Sequence, residues 1–471
     1  MKNELLIRSE KYASFASLFP VLIDMAEKNI EWSANPDFPY PLMGCMPGLQ
    51  VEKLWQWDSC FMSLYSDFSS GRVNGFNNLD FLYRCQREDG YICMTYSVKD
   101  MQPVFDGRIN PPLFAYVEYE HYRRTGDSSR FAHVYPHLTR YYAWIETNRR
   151  RPNGLYFFED SGSSGMDNSP RSGYAAEALR GSDVCFIDLI SQQQLSAQYL
   201  SAMARVLGLK EDEAFYAGEA DRIAALIHEK HWNGKTGFYY DVFHGTCNCL
   251  ANKTIAAFWP MLCGITSPEQ TDALLQHLLN PAEFNTPHPF ASLSADDPNY
   301  DPLGNYWCGS VWCPTNYMVI KGLRRIGRVD LAKKYALRHL QMVCDIYHSA
   351  DYPDIWECYS PEEKRPANRK DEPCVRSNFA GWSGLPGTAL FIEEILGIQL
   401  DAPSRKVVWY PDTDDRCRIG AFSFNGVLLT LDYDDNRVRV DYAGELDLEV
   451  ITDSGRYSKR ITPSDNVLSI L

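Results

Sequence analysis

Apolar residues in this chain change their spacing once along its length, and that single change limits the folds open to it. Phe131, Val134, Leu138, Tyr141, Tyr142 and Ile145 recur at helical intervals and make one stripe, as do Ala332, Ala336, Leu340 and Val343. Start signals fall in step with these stripes. Asp127 precedes one helix, and Ser267-Pro268-Glu269-Gln270 combines a capping serine, a proline for the first turn and a glutamine able to close a capping box. The pattern predicts about twelve helices, over 10–30, 57–70, 76–87, 111–125, 128–149, 185–207, 211–231, 252–264, 268–279, 310–326, 329–347 and 383–396. Short connections between neighbours imply antiparallel pairs, and six such hairpins suggest an (α/α)6 toroid with an inner and an outer ring.

After Gly397 the period becomes two. Val427, Leu429, Leu431 and Tyr433 share a face, as do Val438, Val440 and Tyr442, then Leu446, Leu448 and Val450. Asn425-Gly426 and, more weakly, Asp435-Asn436 are hairpin signals. The reading is mainly α: a helical domain over 1–398, a linker near Leu400–Ser404, and a small antiparallel, sandwich-like β-domain over 404–471. That last segment holds no reactive cluster, so it reads as support.

With 471 residues, 45% of them hydrophobic, the chain is able to bury a large core, which excludes disorder. Its 61 acidic side chains outnumber 46 basic ones, and the net charge of −15 disfavours nucleic acid or an anionic membrane as partner. No apolar run nears the roughly 20 residues of a spanning helix. The N-terminus makes a poor secretory signal, and the 14 cysteines sit largely in apolar segments, so a reducing, cytoplasmic setting is expected. Cys247 with Cys249, and His228 with His231, lack metal-site spacing, so neither a metal nor a cofactor is expected. Oligomeric state is not legible.

Aromatic residues make up 13% of the chain, and several stand beside Gly, Asn and Asp in loops, among them Trp307, Trp312, Trp356 and Trp382. Sugar rings have apolar faces rimmed by hydroxyls, which suits flat aromatic walls with polar neighbours; core filling is the plainer alternative. Residues 150–184, 281–309 and 349–382 form long loops of the kind that carry function. One presents Asp167 in a Gly/Ser-rich turn, and another presents Glu357 between aromatics. Each signal alone is weak, and a solvated turn explains the first equally well. Together they supply two carboxyl groups, which is what glycoside cleavage requires: one protonates the leaving oxygen and the other activates water or attacks carbon.

Five segments in order then resemble the six-hairpin glycosidases, specifically glycoside hydrolase family 63 with its trehalase and mannosylglycerate hydrolase relatives. Trp55-Gln56-Trp57-Asp58-Ser59-Cys60-Phe61 is similar to the family's Trp-Asp-Ser-x-Phe segment, and Ser164-Gly165-Met166-Asp167-Asn168-Ser169-Pro170 to its general-acid segment. Asp296 to Asp301, followed by Tyr306-Trp307-Cys308-Gly309-Ser310-Val311-Trp312, resembles a loop leading into a helix start. Glu357-Cys358-Tyr359-Ser360-Pro361 resembles the general-base segment, and Phe379-Ala380-Gly381-Trp382-Ser383 the closing aromatic motif. The resemblance implies an inverting, exo-acting α-glycosidase for a terminal glucosyl or mannosyl residue of a short saccharide or small glycoside. Asp167 would be general acid and Glu357 general base. Asp58 would accept hydrogen bonds from ring hydroxyls, with Trp57, Trp307, Trp312 and Trp382 as pocket walls. Arg108 and Asn110 stand where relatives place a polar residue before Pro-Pro, or they simply begin a helix. A carbohydrate-binding protein, an epimerase or a lyase on the same toroid is the alternative.

Three departures stand out. Cys308 replaces the family's usual arginine, and Ser163 a frequent glutamate, with Glu159 nearby. Residues 362–377 lack the family's short Thr-Gly continuation. Lys364, Arg365, Arg369 and Lys370 in that stretch read as solvated; alternatively, Arg365 or Arg376 meets an anionic aglycone.

Overall fold

The computed structural model describes residues 6–33, 35–47, 52–172 and 183–470. Among them are twelve helical segments: α1 (Ala13–Lys28), α2 (Gln56–Ser66), α3 (Phe76–Arg84), α4 (Phe114–Thr125), α5 (Ser129–Asn148), α6 (Ile187–Leu207), α7 (Lys210–Lys230), α8 (Trp259–Cys263), α9 (Pro268–Leu278), α10 (Cys313–Arg325), α11 (Val329–Tyr347) and α12 (Pro386–Ile395). Each falls within or next to an expected segment. The Ser267 capping box forms as read, with Ser267 Oγ accepting from Gln270 N–H and Gln270 Oε1 from Ser267 N–H. α12 differs in pitch. Leu390 N–H reaches Leu385 O and Leu396 N–H reaches Phe391 O, five residues back, which makes this turn wider than an α-helix.

Helix composition sorts the elements into two kinds. Every residue of α2, α8 and α12 is buried, as is α10 from Cys313 through Leu323. α5 buries only the stripe read from its sequence plus Tyr135, and α7 only Tyr216, Ala220, Ile223 and Ile227. A helix apolar or pinned on all sides belongs inside, whereas one with a single stripe belongs outside. Contacts run from α2 to α4, α4 to α6, α6 to α8, α8 to α10, α10 to α12 and α12 back to α2. The C-terminal ends of these buried helices are tied by ion pairs. Arg124 of α4 donates to Glu393 of α12 and to Leu64 O of α2, while Lys321 and Arg324 of α10 pair with Glu393 and Glu394.

Strands dominate from Ile398 onward. One sheet orders Leu6–Ser9, Cys417–Phe424, Val427–Asp434, Arg437–Asp441 and Val467–Ser469; the other orders Ile398–Asp401, Lys406–Trp409, Leu446–Thr452 and Gly455–Ile461. Asn425 and Gly426 have φ of 51° and 73°, and Asp435 and Asn436 have 45° and 58°, the left-handed pairs that tight hairpins demand. Three expectations need correction. Leu400 and Asp401 are strand rather than linker, because Ile398–Asp401 pairs with Lys406–Trp409. The region is not wholly antiparallel: Lys406–Trp409 and Leu446–Thr452 run parallel, the chain between them crossing through the first sheet. Val427 and Tyr442 leave their apolar faces only partly covered, Val427 being exposed. The strand Leu6–Ser9 also pairs with Cys417–Gly420, so an N-terminal strand completes a C-terminal sheet. These sheets dock at the C-terminal end of α4, where Ala402 N–H donates to Arg123 O and Asn425 N–H to Thr125 O. No helix among the described residues is long and apolar enough to cross a membrane. None of the 14 cysteines is exposed.

Candidate active site

At the opposite end, the approaches to α2, α4 and α12 converge on a cavity of about 670 Å³. Trp57 and Asp58 enter it from the first turn of α2, Asn110 from the approach to α4, and Trp382 from just before α12. Asp167, Trp307 and Glu357 come from the long loops, and Arg108 stands at the rim. Of the expected residues only Trp312 is missing from the lining. It lies behind the wall instead, wholly buried and stacked on Trp307 at 4.0 Å between ring centroids and 5° between planes. Trp57 meets Trp307 at 6.2 Å and Trp382 at 5.8 Å, so the wall is one continuous aromatic assembly. Among the described residues, none after Trp382 contributes to the lining.

The loop bearing Asp167 is held at both ends. Gly165 N–H returns to Gly162 O, and Gly165 adopts φ +79° with a Cβ position only 2.4 Å from a Trp57 ring carbon, so glycine is the one residue that fits. Asn168 accepts from Trp307 N–H at 2.8 Å and donates to Asn305 O at 2.9 Å. Arg171, fully buried, then forks onto Asp188 at 2.6 and 2.9 Å and onto Asp241 at 2.7 and 2.6 Å. Nothing in the sequence pattern singled out Arg171, because its partners lie 17 and 70 residues away. Glu159 pairs with Arg149 and does not line the cavity.

Asp167 opens to the cavity yet lies deep in a concave site. Removal from bulk water pushes its carboxyl up to about 6; the Arg369 and Arg376 cations oppose that rise, while Glu357 and Asp160 add to it. Burial likewise pushes Asp58 up to about 7, opposed by the Cys45 thiol that donates to its Oδ1 at 3.3 Å and reinforced by the charges of Glu357 and Asp167. Glu357 is gripped asymmetrically. Its Oε1 accepts from Tyr306 Oη at 2.9 Å and Arg376 Nη1 at 2.7 Å, whereas its buried Oε2 has no hydrogen-bond partner among the described residues.

Within 362–377, Lys364 and Lys370 are exposed as expected, whereas Arg365 and Arg369 are half-buried. Arg369 lines the cavity with its guanidinium 4.3 Å from the centre of the Tyr306 ring, and Arg376 lines it beside Glu357. Arg365 instead donates to Pro373 O and stacks over Tyr352, and Lys364 pairs with Asp345. Cys308 does not line the cavity; its thiol points to Asn168 O at 3.4 Å. Among the described residues, no group of three or more His, Cys, Asp or Glu is placed to hold a metal ion.

An aromatic pocket holding carboxyl groups from separate loops, one of them raised toward neutrality, is the arrangement of a glycoside hydrolase. Residues 51–379 match the family described as the mannosylglycerate hydrolase MGH1-like glycoside hydrolase domain. An uncharacterized protein of Borreliella burgdorferi is 31% identical over 362 residues, covering 75% of this chain and 74% of that one. Mannosylglycerate hydrolase MGH1 of Selaginella moellendorffii is 23% identical over 380 residues, covering 65% and 75%. The crystal structure of the family 63 mannosylglycerate hydrolase of Thermus thermophilus in complex with glucose superposes with a TM-score of 0.63 at 21% identity, over 80% of this chain and 99% of that one. The chain belongs to the MGH1-like mannosylglycerate hydrolase family of glycoside hydrolases, of the family 63 type.

Proposed function

We propose that the protein is an exo-acting, inverting α-glycosidase that releases a terminal α-linked glucosyl or mannosyl residue from a short saccharide or small glycoside. Asp167, in its protonated form, donates to the leaving oxygen. Glu357 draws a proton from the attacking water through Oε2. One observation carries the reading: Tyr306 and Arg376 both occupy Glu357 Oε1 and leave Oε2 without a partner, in the cavity to which Asp167 opens. A carboxylate held by one oxygen, with the other available, suits a general base. Inversion needs room for that water, so a carboxyl separation of about 6.5–9.5 Å accompanies the proposal.

Trp57, Trp307 and Trp382 serve as sugar walls, Trp312 as their backing, and Asp58, Arg108 and Asn110 as polar contacts. The cyclic succession of contacts from α2 through α12 supports an (α/α)6 toroid over 1–398. A lining confined to Glu52 through Trp382 supports 404–471 as a buttress. Fourteen unexposed thiols support a cytoplasmic location, which cell fractionation would check.

The test is hydrolysis of α-mannosyl and α-glucosyl glycosides, mannosylglycerate first, with NMR of the first product formed. The β-anomer is expected, and the α-anomer as primary product refutes inversion. Asp167→Asn and Glu357→Gln should each abolish turnover without unfolding, and activity retained in either removes that assignment.

A further inference from the structure

The family's cation beside the first tryptophan of its motif is absent here, because position 308 is cysteine and that thiol is turned to the backbone of Asn168. Four other cations line the cavity: Lys53, Arg108, which pairs with Asp160, and two from 362–377, Arg369 and Arg376. Their jobs differ. Arg376 is spent on Glu357. Arg369 stacks on Tyr306, and its guanidinium has no ion pair or hydrogen bond among the described residues.

Its backbone is nevertheless fixed. Asn368 Oδ1 accepts from Asn305 N–H at 2.6 Å, Asn368 O accepts from Tyr306 N–H at 3.0 Å, and Lys370 N–H donates to Asn305 Oδ1 at 2.9 Å. Arg369 and Glu372 exchange backbone hydrogen bonds of 3.0 and 2.8 Å across a tight turn. The backbone carbonyl of Asn305 accepts from Asn168, so Arg369 and Asp167 hang from one scaffold. A guanidinium held in place, half-buried and with its donors unspent, is built to meet a ligand.

We propose, building on the glycosidase reading, that Arg369 contacts the leaving group and selects one that offers two adjacent oxygen acceptors, either a carboxylate or neighbouring hydroxyls. The side follows from the chemistry. The proton from Asp167 goes to the oxygen that departs, so the leaving group lies toward Asp167 and away from the water held by Glu357. Arg369 hangs from the Asn305 loop that Asn168, next to Asp167, also grips, which places it on that side. A planar fork prefers paired oxygens over a single one.

The experiment compares Arg369→Met and Arg369→Lys with the wild type on three substrates of one sugar: its α-fluoride, its α-glycoside of glycerate and its α-glycoside of glycerol. The fluoride has no aglycone to grip. Losing a charged hydrogen-bonding contact should cost the preferred glycoside about ten- to a hundredfold more in kcat/KM than the fluoride, chiefly through KM. Arg369→Lys keeps the charge beside Asp167 but not the fork, so it should show the same loss. The glycerate and glycerol arms decide which oxygen pair is recognised. Equal losses on all three substrates, no loss on any, or full restoration by lysine overturns the proposal. Calorimetric titration of free glycerate and glycerol provides a second arm. Weaker binding to Arg369→Met supports the contact, and equal binding refutes it even if the wild type hydrolyses nothing, an outcome that would sink the glycosidase reading instead.

Discussion

Replacing Gly165 by alanine tests whether the aromatic wall and the acid loop are one rigid unit. An added Cβ would sit 2.4 Å from Trp57 Cζ2 and 2.7 Å from two further ring atoms, where about 3.5 Å or more is tolerated. Trp57 has nowhere to retreat, since Phe61, Trp307 and Trp382 pack around it at centroid distances of 5.5, 6.2 and 5.8 Å. The loop must therefore give way, and Asp167 lies two residues on. Overpacking costs about 1–3 kcal/mol, and an alanine forced to φ +79° adds about 1–2, so about 2–5 kcal/mol of stability should be lost. A misplacement of about 1 Å at the reacting centre costs on the order of a hundredfold in rate. Denaturant unfolding and kcat/KM on the same preparation measure both effects. Gly208→Ala is the control: its φ is +75° but nothing lies within 4 Å of the new methyl, so it should suffer strain alone and retain activity. If Gly165→Ala is no more damaging than Gly208→Ala, the tight contact between loop and wall is wrong.

Glu393→Ala leaves Arg124 buried with a lost partner and should cost about 3–5 kcal/mol while leaving KM unchanged, because this ion-pair cluster lies at the helix ends opposite the cavity. Arg124, Lys321 and Arg123 outweigh burial and hold the Glu393 carboxyl down to about 2, so its contribution is full above the ordinary 4.5 and fades as pH falls toward 2; acid unfolding of Glu393→Gln should lack that component. Asp167 behaves in the opposite sense. Burial raises its proton affinity, so stability falls as pH rises from the ordinary 3.8 through about 6, and the loss is complete above that. Asp167→Asn should therefore be more stable than the wild type at pH 8, with the advantage gone near pH 4; equal pH–stability curves would contradict this. In the wild type, kcat/KM should decline as pH rises through about 6 if Asp167 must be protonated to work.

Much of the scaffold could be read residue by residue. The stripes of α5 and α11, the Ser267 cap and the Asn425-Gly426 turn all depend on neighbours a few positions apart, and they stand where their spacing put them. Trp57, Asp58, Arg108, Asn110, Asp167, Trp307, Glu357 and Trp382 do gather around one cavity. Trp312 shows the limit, because a motif indicates which residues assemble and not which ones face inward.

Other features had no local signal. Arg369 read as surface charge until the fold laid its segment across the loop at Asn305. Arg171 is an ordinary basic residue until Asp188 and Asp241 close on it from different elements. The strand Leu6–Ser9 finds its partner at Cys417–Gly420, more than 400 residues away.

The amino-acid order by itself determined periodicity, caps, turns and which chemical groups were on hand, since those depend on torsions and contacts within a turn or two. Only the tertiary structure decided which carboxylate oxygen is left free, which cations face the sugar cavity and how far Asp58 and Asp167 are lifted toward neutrality. Those properties are set by distance and loss of water between residues remote in the chain, and no local pattern encodes either.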